Sequence, residues 1–273
     1  MDGPDPTCTA DFRFHAALND FLAPARRASW FSLAFRGRQS IKHLVESCGV
    51  PHVEIGRVSL DGAPAGLGDI ARDGSRIEVH PCALPLHDGP PQFVLDNHLG
   101  KLAAYLRLLG FDAAYRNDLQ DPELAQIASQ QERILLTRDR RLLMRSVVQR
   151  GYCPRSRDSR QQLVEILERY GLHDQFAPFS RCVHCNTPLQ PVDKAAVLER
   201  LQPLTRQYFD QFQRCPACDQ LYWPGSHVGR KRSVGRKRSV GRKRSVGRKR
   251  SVGRMQAFID TLRPPAGPLP TTG

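Results

Sequence analysis

The sequence predicts an α/β chain: a parallel sheet wrapped by helices, preceded by a smaller α+β segment and followed by a metal-binding cysteine module. Three observations predict it. Four strand-then-helix units follow one another between Gln92 and Tyr170. Ahead of them, between Ala10 and His80, short strand patterns surround one helical stretch. After them come two Cys-x2-Cys pairs, Cys182/Cys185 and Cys215/Cys218.

In the first segment, Asp11–Leu18 and Trp30–Phe35 read as strands. Ser40 is the N-cap of a helix over Ile41–Glu46, because its hydroxyl can accept an orphan N–H of the first turn. Val58–Leu60 runs into an Asp61-Gly62 turn, and Arg76–His80 closes the segment after Asp73-Gly74; Asp-Gly pairs tolerate the positive φ that tight hairpins need. This ββ-helix-β order resembles the ubiquitin-like β-grasp fold. Gly66–Ile77 is similar to the sulfur-carrier branch of that fold. Those carriers act through a free C-terminal Gly-Gly, whereas here the strand runs on through His80-Pro81-Cys82. A docking or scaffolding role is therefore expected, with a protein partner.

His80 to Pro91 holds four prolines and Gly89 in twelve residues, which rules out a helix or central strand there. In the units that follow, Phe93–Leu95 leads to a helix with Leu99, Leu102, Ala103, Leu106 and Leu109 on one face, ended by Gly110. Ala113–Tyr115 leads to a helix opened by Asp121-Pro122-Glu123, with proline where its missing N–H costs nothing. Arg133–Leu136 leads to a helix over Arg140–Arg150, and Tyr152–Pro154 to one over Ser159–Tyr170. The expected boundaries are 10–80, 81–91 (linker), 92–178, 179–227, 228–254 and 255–273, the last a short helix and tail.

The formal net charge is +14, from 41 Lys and Arg against 27 Asp and Glu. The stretch Val228–Arg254 reads VGRKRS four times and then VGR, and carries 13 of those basic residues with no acid. Removing them leaves 28 basic and 27 acidic residues in the other 246, a net of +1. The charge is local, and a six-residue period with a glycine in every unit suits neither helix nor sheet, so a solvated, disordered loop is expected. A hydrophobic share of 40% is too rich for a wholly disordered chain. No apolar run approaches the roughly 18 residues of a membrane span. The opening MDGPDPTCTADFRF has no apolar signal core. With eight cysteines and no such signal, a cytoplasmic protein with reduced or metal-bound thiols is expected.

Parallel topology gathers strand C-terminal ends at one edge, where α/β folds bind ligands. Asp96 follows the first strand of the α/β region, Asp118 and Asp121 the second, Asp139 the third and Asp158 the fourth. Carboxylates converging there without matching cations repel one another and persist best around a hard divalent ion such as Mg²⁺ or Mn²⁺. The competing reading is capping: Asp96, Asp121 and Asp139 all precede helices, and aspartate is a favoured N-cap worth about 1 kcal/mol. Drawing Asp three times from four near-equal capping residues is roughly a one-in-sixty event, and capping does not preclude metal binding.

Leu95-Asp96-Asn97-His98-Leu99-Gly100-Lys101-Leu102 through Gly110-Phe111-Asp112 resembles the opening of the Mut-7 C-terminal RNase family, a branch of the PIN-like nucleases, and Ile134–Arg140 resembles the Thr-x-Asp motif of that superfamily. The resemblance spans Gln92 to about His227. It implies a PIN-like α/β domain that hydrolyses RNA phosphodiesters with Mg²⁺ or Mn²⁺. Asp96 and Asp139 match the metal-binding acids by motif; Asp121 matches the middle acid, with Asp118 as competitor, and Asp158 falls where a fourth is expected. Lys101, Arg138 and Arg140 flank the same edge as candidate phosphate contacts. Arg107 reads as part of a solvated helix face, and His98 as an exposed residue at a helix start.

The two cysteine pairs stand 29 residues apart. Each knuckle offers one side of a tetrahedral site, and four thiolates suit a closed, structural Zn²⁺. The gap predicts a helical element between Val192 and Tyr208, and Arg181, Asn186, Leu189 and the Tyr222–His227 stretch resemble the zinc-ribbon end of the same family. Tyr222 and Trp223 are expected to pack on the knuckle. The remaining thiols, Cys8, Cys48, Cys82 and Cys153, have no such partners. The functional expectation is a metal-dependent ribonuclease; the alternative is a non-catalytic RNA-binding adaptor with structural zinc.

Overall fold

The structure is a computed structural model, described for residues 7–82, 89–223 and 262. Part of the proline-rich linker, the whole basic repeat and almost all of the expected terminal helix and tail lie outside the described residues. The chain divides into two compact units: one takes the chain up to Ala103 together with Ala113–Gly171, the other Ala104–Asp112 and everything from Leu172 onward.

In the first unit, β1 (Thr7–Phe14) buries Ala10, Phe12 and Phe14 at alternate positions. It ends earlier than the sequence suggested. Leu18 and Phe21 are buried three apart rather than two, from a 3-10 turn over Ala16–Phe21, and Ala16 enters that turn at φ +46°. The Asn19 side chain fixes it by donating to Phe14 O (2.9 Å) and Ala16 O (3.0 Å). β2 (Phe31–Arg36) pairs antiparallel with β1. α1 (Ile41–Ser47) starts where Ser40 accepts the His43 N–H at 3.2 Å. β3 (Ile55–Leu60) and β4 (Ala63–Ala65) form a hairpin through Asp61 and Gly62, at φ +51° and +83°. β5 (Ser75–Pro81) pairs parallel with β1 and antiparallel with β3. The sheet order β2-β1-β5-β3-β4 is that of a β-grasp.

The α/β part follows: β6 (Gln92–Leu95), α2 (Gly100–Leu108), β7 (Asp112–Tyr115), α3 (Asp121–Gln130), β8 (Ile134–Leu136), α4 (Arg140–Leu143), β9 (Gly151–Tyr152) and α5 (Ser159–Tyr170). The strands lie in the order β7-β6-β8-β9, with β6, β8 and β9 parallel. The helix expected over Arg140–Arg150 lasts one turn. Beyond Leu142 and Leu143 the apolar stripe lapses at Arg145-Ser146, Val147 is exposed, and Val148 returns to the core through a turn closed by its N–H to Arg145 O (3.0 Å). Gly151 then passes so close to Leu143 that a Cβ there would meet its Cδ2 at 2.6 Å.

The β-grasp and this sheet share one hydrophobic core. Phe12, Phe14, Leu18, Phe21, Val45 and Val79 belong to the same buried cluster as Val94, Leu124, Leu135, Leu142 and Val148. An ion pair crosses it: the Glu54 carboxylate, in a residue only 2% exposed, accepts the Cys153 N–H (2.8 Å) and takes Arg155 through Nη1 (2.9 Å) and Nη2 (3.2 Å). His52, paired with Glu46 at 2.7 Å, reaches Val148 O at 3.0 Å. The segment expected to serve for docking or scaffolding thus shares its apolar core with the α/β sheet.

In the second unit, β10 (Gln190–Val192), β11 (Phe212–Arg214) and β12 (Leu221–Tyr222) form an antiparallel sheet, with α6 (Lys194–Val197) and α7 (Pro203–Tyr208) in the long interval between the cysteine pairs. Val197, Leu201, Phe212 and Leu221 make its small core.

Candidate active site and metal centre

β7 lies on one side of β6 and β8 on the other, so the winding of the sheet reverses between β6 and β8. Open α/β sheets bind ligands at such a switch point, outside the strand C-terminal ends. Asp96 and Thr137 end the two strands that flank it, tied by the Asp96 N–H to Leu136 O (3.1 Å). Thr137, fully buried, donates its hydroxyl to Asp96 Oδ2 at 2.6 Å and accepts the Asp139 N–H at 2.9 Å. One threonine thereby sets the positions of two carboxylates 43 residues apart in sequence. Asp139 Oδ1 caps α4, accepting from Arg141 N–H (2.8 Å) and Leu142 N–H (3.4 Å). Asp96 is 7% exposed and forms no ion pair among the described residues. Beside it, Asn97 Oδ1 is buried with no hydrogen-bond partner among the described residues.

The capping expectation holds for only one of its three aspartates. Asp96 precedes the 3-10 turn Asn97–Leu99 but makes no cap bond, its carboxylate being turned to Thr137. Asp121 is already the first residue of α3; the cap position is Gln120, whose N–H is taken by Glu123 Oε2 at 2.8 Å. The competitor Asp118 is held by Arg116 in a bidentate pair (3.1 and 2.7 Å), and that hydrogen bonding keeps its carboxyl below the usual range.

Asp158 has surroundings the sequence reading missed. Ser156-Arg157-Asp158 repeats the geometry of Thr137-Arg138-Asp139 one strand further on: Ser156 Oγ accepts the Asp158 N–H (3.0 Å), and Asp158 Oδ1 caps α5 through Arg160 and Gln161 (3.0 and 3.1 Å). The matched Ser/Thr-Arg-Asp triplets were the available signal. Lys101, Arg138 and His98 are exposed. Arg140 is engaged instead with the β-grasp, its Nη1 donating to Phe21 O (3.0 Å) and its guanidinium 4.9 Å from the Phe21 ring. Arg155 stacks on that ring at 4.2 Å and lies 3.7 Å from Asp20. The carboxylates of Asp96, Asp121, Asp139 and Asp158 do not provide three oxygens within 4.8 Å of one another; among the described residues, two other sets of three or more ligating side chains do.

One of these sets is Cys182, Cys185, Cys215 and Cys218. Both knuckles use the same turn: Cys182 N–H bonds Thr187 O and Asn186 N–H bonds Cys182 O, as Cys215 N–H bonds Gln220 O and Asp219 N–H bonds Cys215 O. Asn186 and Asp219 sit at φ +70° and +60° to close them. Sγ–Sγ separations of 3.4, 3.5 and 3.6 Å are far longer than a disulfide and close to the roughly 3.8 Å edge of a zinc tetrathiolate. The donor set fits structural zinc. The Tyr222 hydroxyl touches Cys182 Sγ at 3.1 Å and accepts the Val183 N–H at 3.2 Å, the packing expected of it, while Trp223 lies against Phe212. Arg107 is no solvated helix residue. It is 4% exposed and donates through Nη1 to Val183 O (3.1 Å) and His184 O (2.9 Å) of the first knuckle. Asn186 and Arg181 likewise hold Asp112 at 2.7 and 3.3 Å. Burial pushes the Cys48 and Cys153 thiols up, away from reactivity.

No helix among the described residues is long and apolar enough to cross a membrane. No curated protein matches the sequence. The solution structure of the Haloferax volcanii HVO 2177 protein is similar to 32% of this chain and covers 94% of its own, at 15% identity and a TM-score of 0.26, too loose to carry an argument. The family model for the Mut7-C ubiquitin domain matches residues 7–87, the β-grasp. That for the Mut7-C RNAse domain matches residues 91–234, more than half of the 273, and the chain belongs to the Mut7-C RNAse domain family.

Proposed function

We propose that the protein is a metal-dependent ribonuclease whose PIN-like centre lies at the β6/β8 switch point. The observation that carries this is the Asp96–Thr137–Asp139 relay. A carboxylate buried to the extent of Asp96, without a cationic side chain, costs several kcal/mol unless something positive is supplied. The donors are oxygens, which suits Mg²⁺ or Mn²⁺. Such an ion, when bound, polarises a water and offsets charge on the scissile phosphate. Thr137 occupies one oxygen of Asp96 and leaves the other as a donor, and the α4 cap does the same for Asp139. Asp121 is the middle acid, since Arg116 already neutralises Asp118. Asp158 is the fourth. Exposed Arg138 and Lys101 hold RNA phosphates, whereas Arg140 positions the edge through Phe21. Zinc in the cysteine centre is structural.

The test is cleavage of structured and single-stranded RNA with Mn²⁺. Wild type should cleave, EDTA should abolish cleavage, and Asp139→Asn should remove it while stability changes little, because Asn caps a helix about as well as Asp. Unchanged cleavage in that variant sinks the reading. One observation favours the non-catalytic adaptor: Asp139 and Asp158 both cap helices, and the carboxylates do not close on one another. The adaptor predicts zinc at one per chain from the cysteines and no Mn²⁺ binding lost in Asp139→Asn.

A further inference from the structure

The second set of converging ligands belongs neither to the acid edge nor to the cysteine centre. On the β-grasp, Phe14 of β1 stands opposite Val79 of β5 in a parallel pair, and the His15 N–H continues the ladder to Val79 O at 3.0 Å. His15 is thereby brought beside His80. Glu78 and His80 are two apart on β5 and share the face opposite the buried Ile77 and Val79. His15 Nε2 lies 2.8 Å from Glu78 Oε2, and the imidazoles of His15 and His80 are stacked with centroids 4.0 Å apart and planes 7° from parallel. One ligand atom from each of the three side chains lies within 4.8 Å of the other two, and all three residues are half-buried.

We propose that His15, Glu78 and His80 form a second zinc site, independent of the cysteines and of the acid edge. Two imidazoles and one carboxylate are a zinc donor set, and three protein ligands leave the fourth tetrahedral position to water or a small anion. Imidazole nitrogen excludes Mg²⁺ and Ca²⁺ as the natural occupants. Arg57 stands opposite His80 in the β3–β5 register, and Glu78 supplies the negative charge of the donor set. The backbone supplies the preorganisation: the parallel ladder holds His15 and His80 side by side, so only side-chain rotations separate this arrangement from coordination. Zinc here clips β1 to β5, the two central strands of the β-grasp sheet.

The experiment loads the full chain with one equivalent of Zn²⁺ to fill the tetrathiolate, then titrates further Zn²⁺ by calorimetry and counts bound metal after gel filtration. Wild type should take up one additional zinc. His15→Gln and His80→Gln should each lose that event while retaining the first zinc and a wild-type urea-unfolding transition of the shared β-grasp and α/β core, which reports that the variant is folded. Asp139→Asn should keep both zincs. A second event that survives both histidine variants, one that disappears in Asp139→Asn, or none at all in wild type overturns the proposal and leaves the three side chains as an ion pair beside a stacked ring.

Discussion

The four cysteines and the strand-end aspartates are both side chains of types that can ligate metals, and the protein holds them in opposite ways. The sulfurs lie 3.4–3.6 Å apart on two short knuckles that carry their own turns. The carboxylates sit at the ends of separate strands, tied by Thr137 and by helix caps, and do not converge. Charge accounts for the difference. Burial favours the neutral thiols of Cys215 and Cys218 until a metal takes them, so sulfurs can be gathered in advance, whereas carboxylates brought equally close repel unless a cation intervenes. A closed centre serves folding and an open edge serves exchange. The comparison teaches that the aspartates should be judged by what fixes each one in place, not by whether they touch.

The sharpest way to break the contrast is at the closed centre. Structural zinc contributes on the order of 10 kcal/mol to small zinc modules, so Cys215→Ser should abolish zinc binding and cost the ribbon its protease resistance, leaving the β-grasp resistant. Acid should act in the same direction. Zinc binds the thiolates, so protons compete with it for the four sulfurs. Zinc retention measured as pH is lowered should fail on the acid side. Next in size is the support behind the open edge. Glu54→Gln keeps the shape but leaves half-buried Arg155 only the exposed Asp20 carboxylate at 3.7 Å, and losing charge-assisted hydrogen bonds of this kind costs about 1.5–3 kcal/mol. Urea unfolding should show the loss for the β-grasp and α/β sheet together, since they share a core; a transition confined to the β-grasp would contradict that.

What could be read from the sequence was what short-range chemistry decides. Ser40 as a cap, Asp61-Gly62 as a hairpin turn, the strand-helix alternation after Gln92 and the cysteine pairing all depend on residues a few positions apart. The misreadings share a cause. Arg140 looked like a phosphate ligand because its partner, Phe21, is 119 residues away. Arg107 looked solvated because the carbonyls it holds are 76 and 77 residues distant. Glu54 drew no notice, being an ordinary glutamate until Cys153 and Arg155 close around it. The overlong Arg140–Arg150 helix and the strand carried past Phe14 come from apolar residues that satisfy one period locally and bury themselves by another. At the acid edge the aspartates were legible as residue types, but their ranking was not, because it depends on which hydroxyl each one meets.

That ranking gives the smallest and most discriminating effect. Thr137 and Ser156 both accept the N–H of the aspartate two residues on, but only Thr137 also donates to a second acid, Asp96. Ser156 is bound instead within its own strand end, its carbonyl taking Gln162 Nε2 at 2.9 Å and its N–H going to Glu165 Oε1 at 2.8 Å. Thr137→Val preserves shape and removes the link, and a residue that orients a metal ligand is worth about 10- to 100-fold in activity. Ser156→Ala removes one hydrogen bond, worth about 1 kcal/mol of stability, and should lower Mn²⁺-dependent cleavage less than tenfold. Equal losses in the two variants would make Asp158 a full member of the centre and erase the distinction between the triplets. A large loss at Thr137 alone would identify the Asp96–Asp139 pair as the part of the edge that the fold is built to hold.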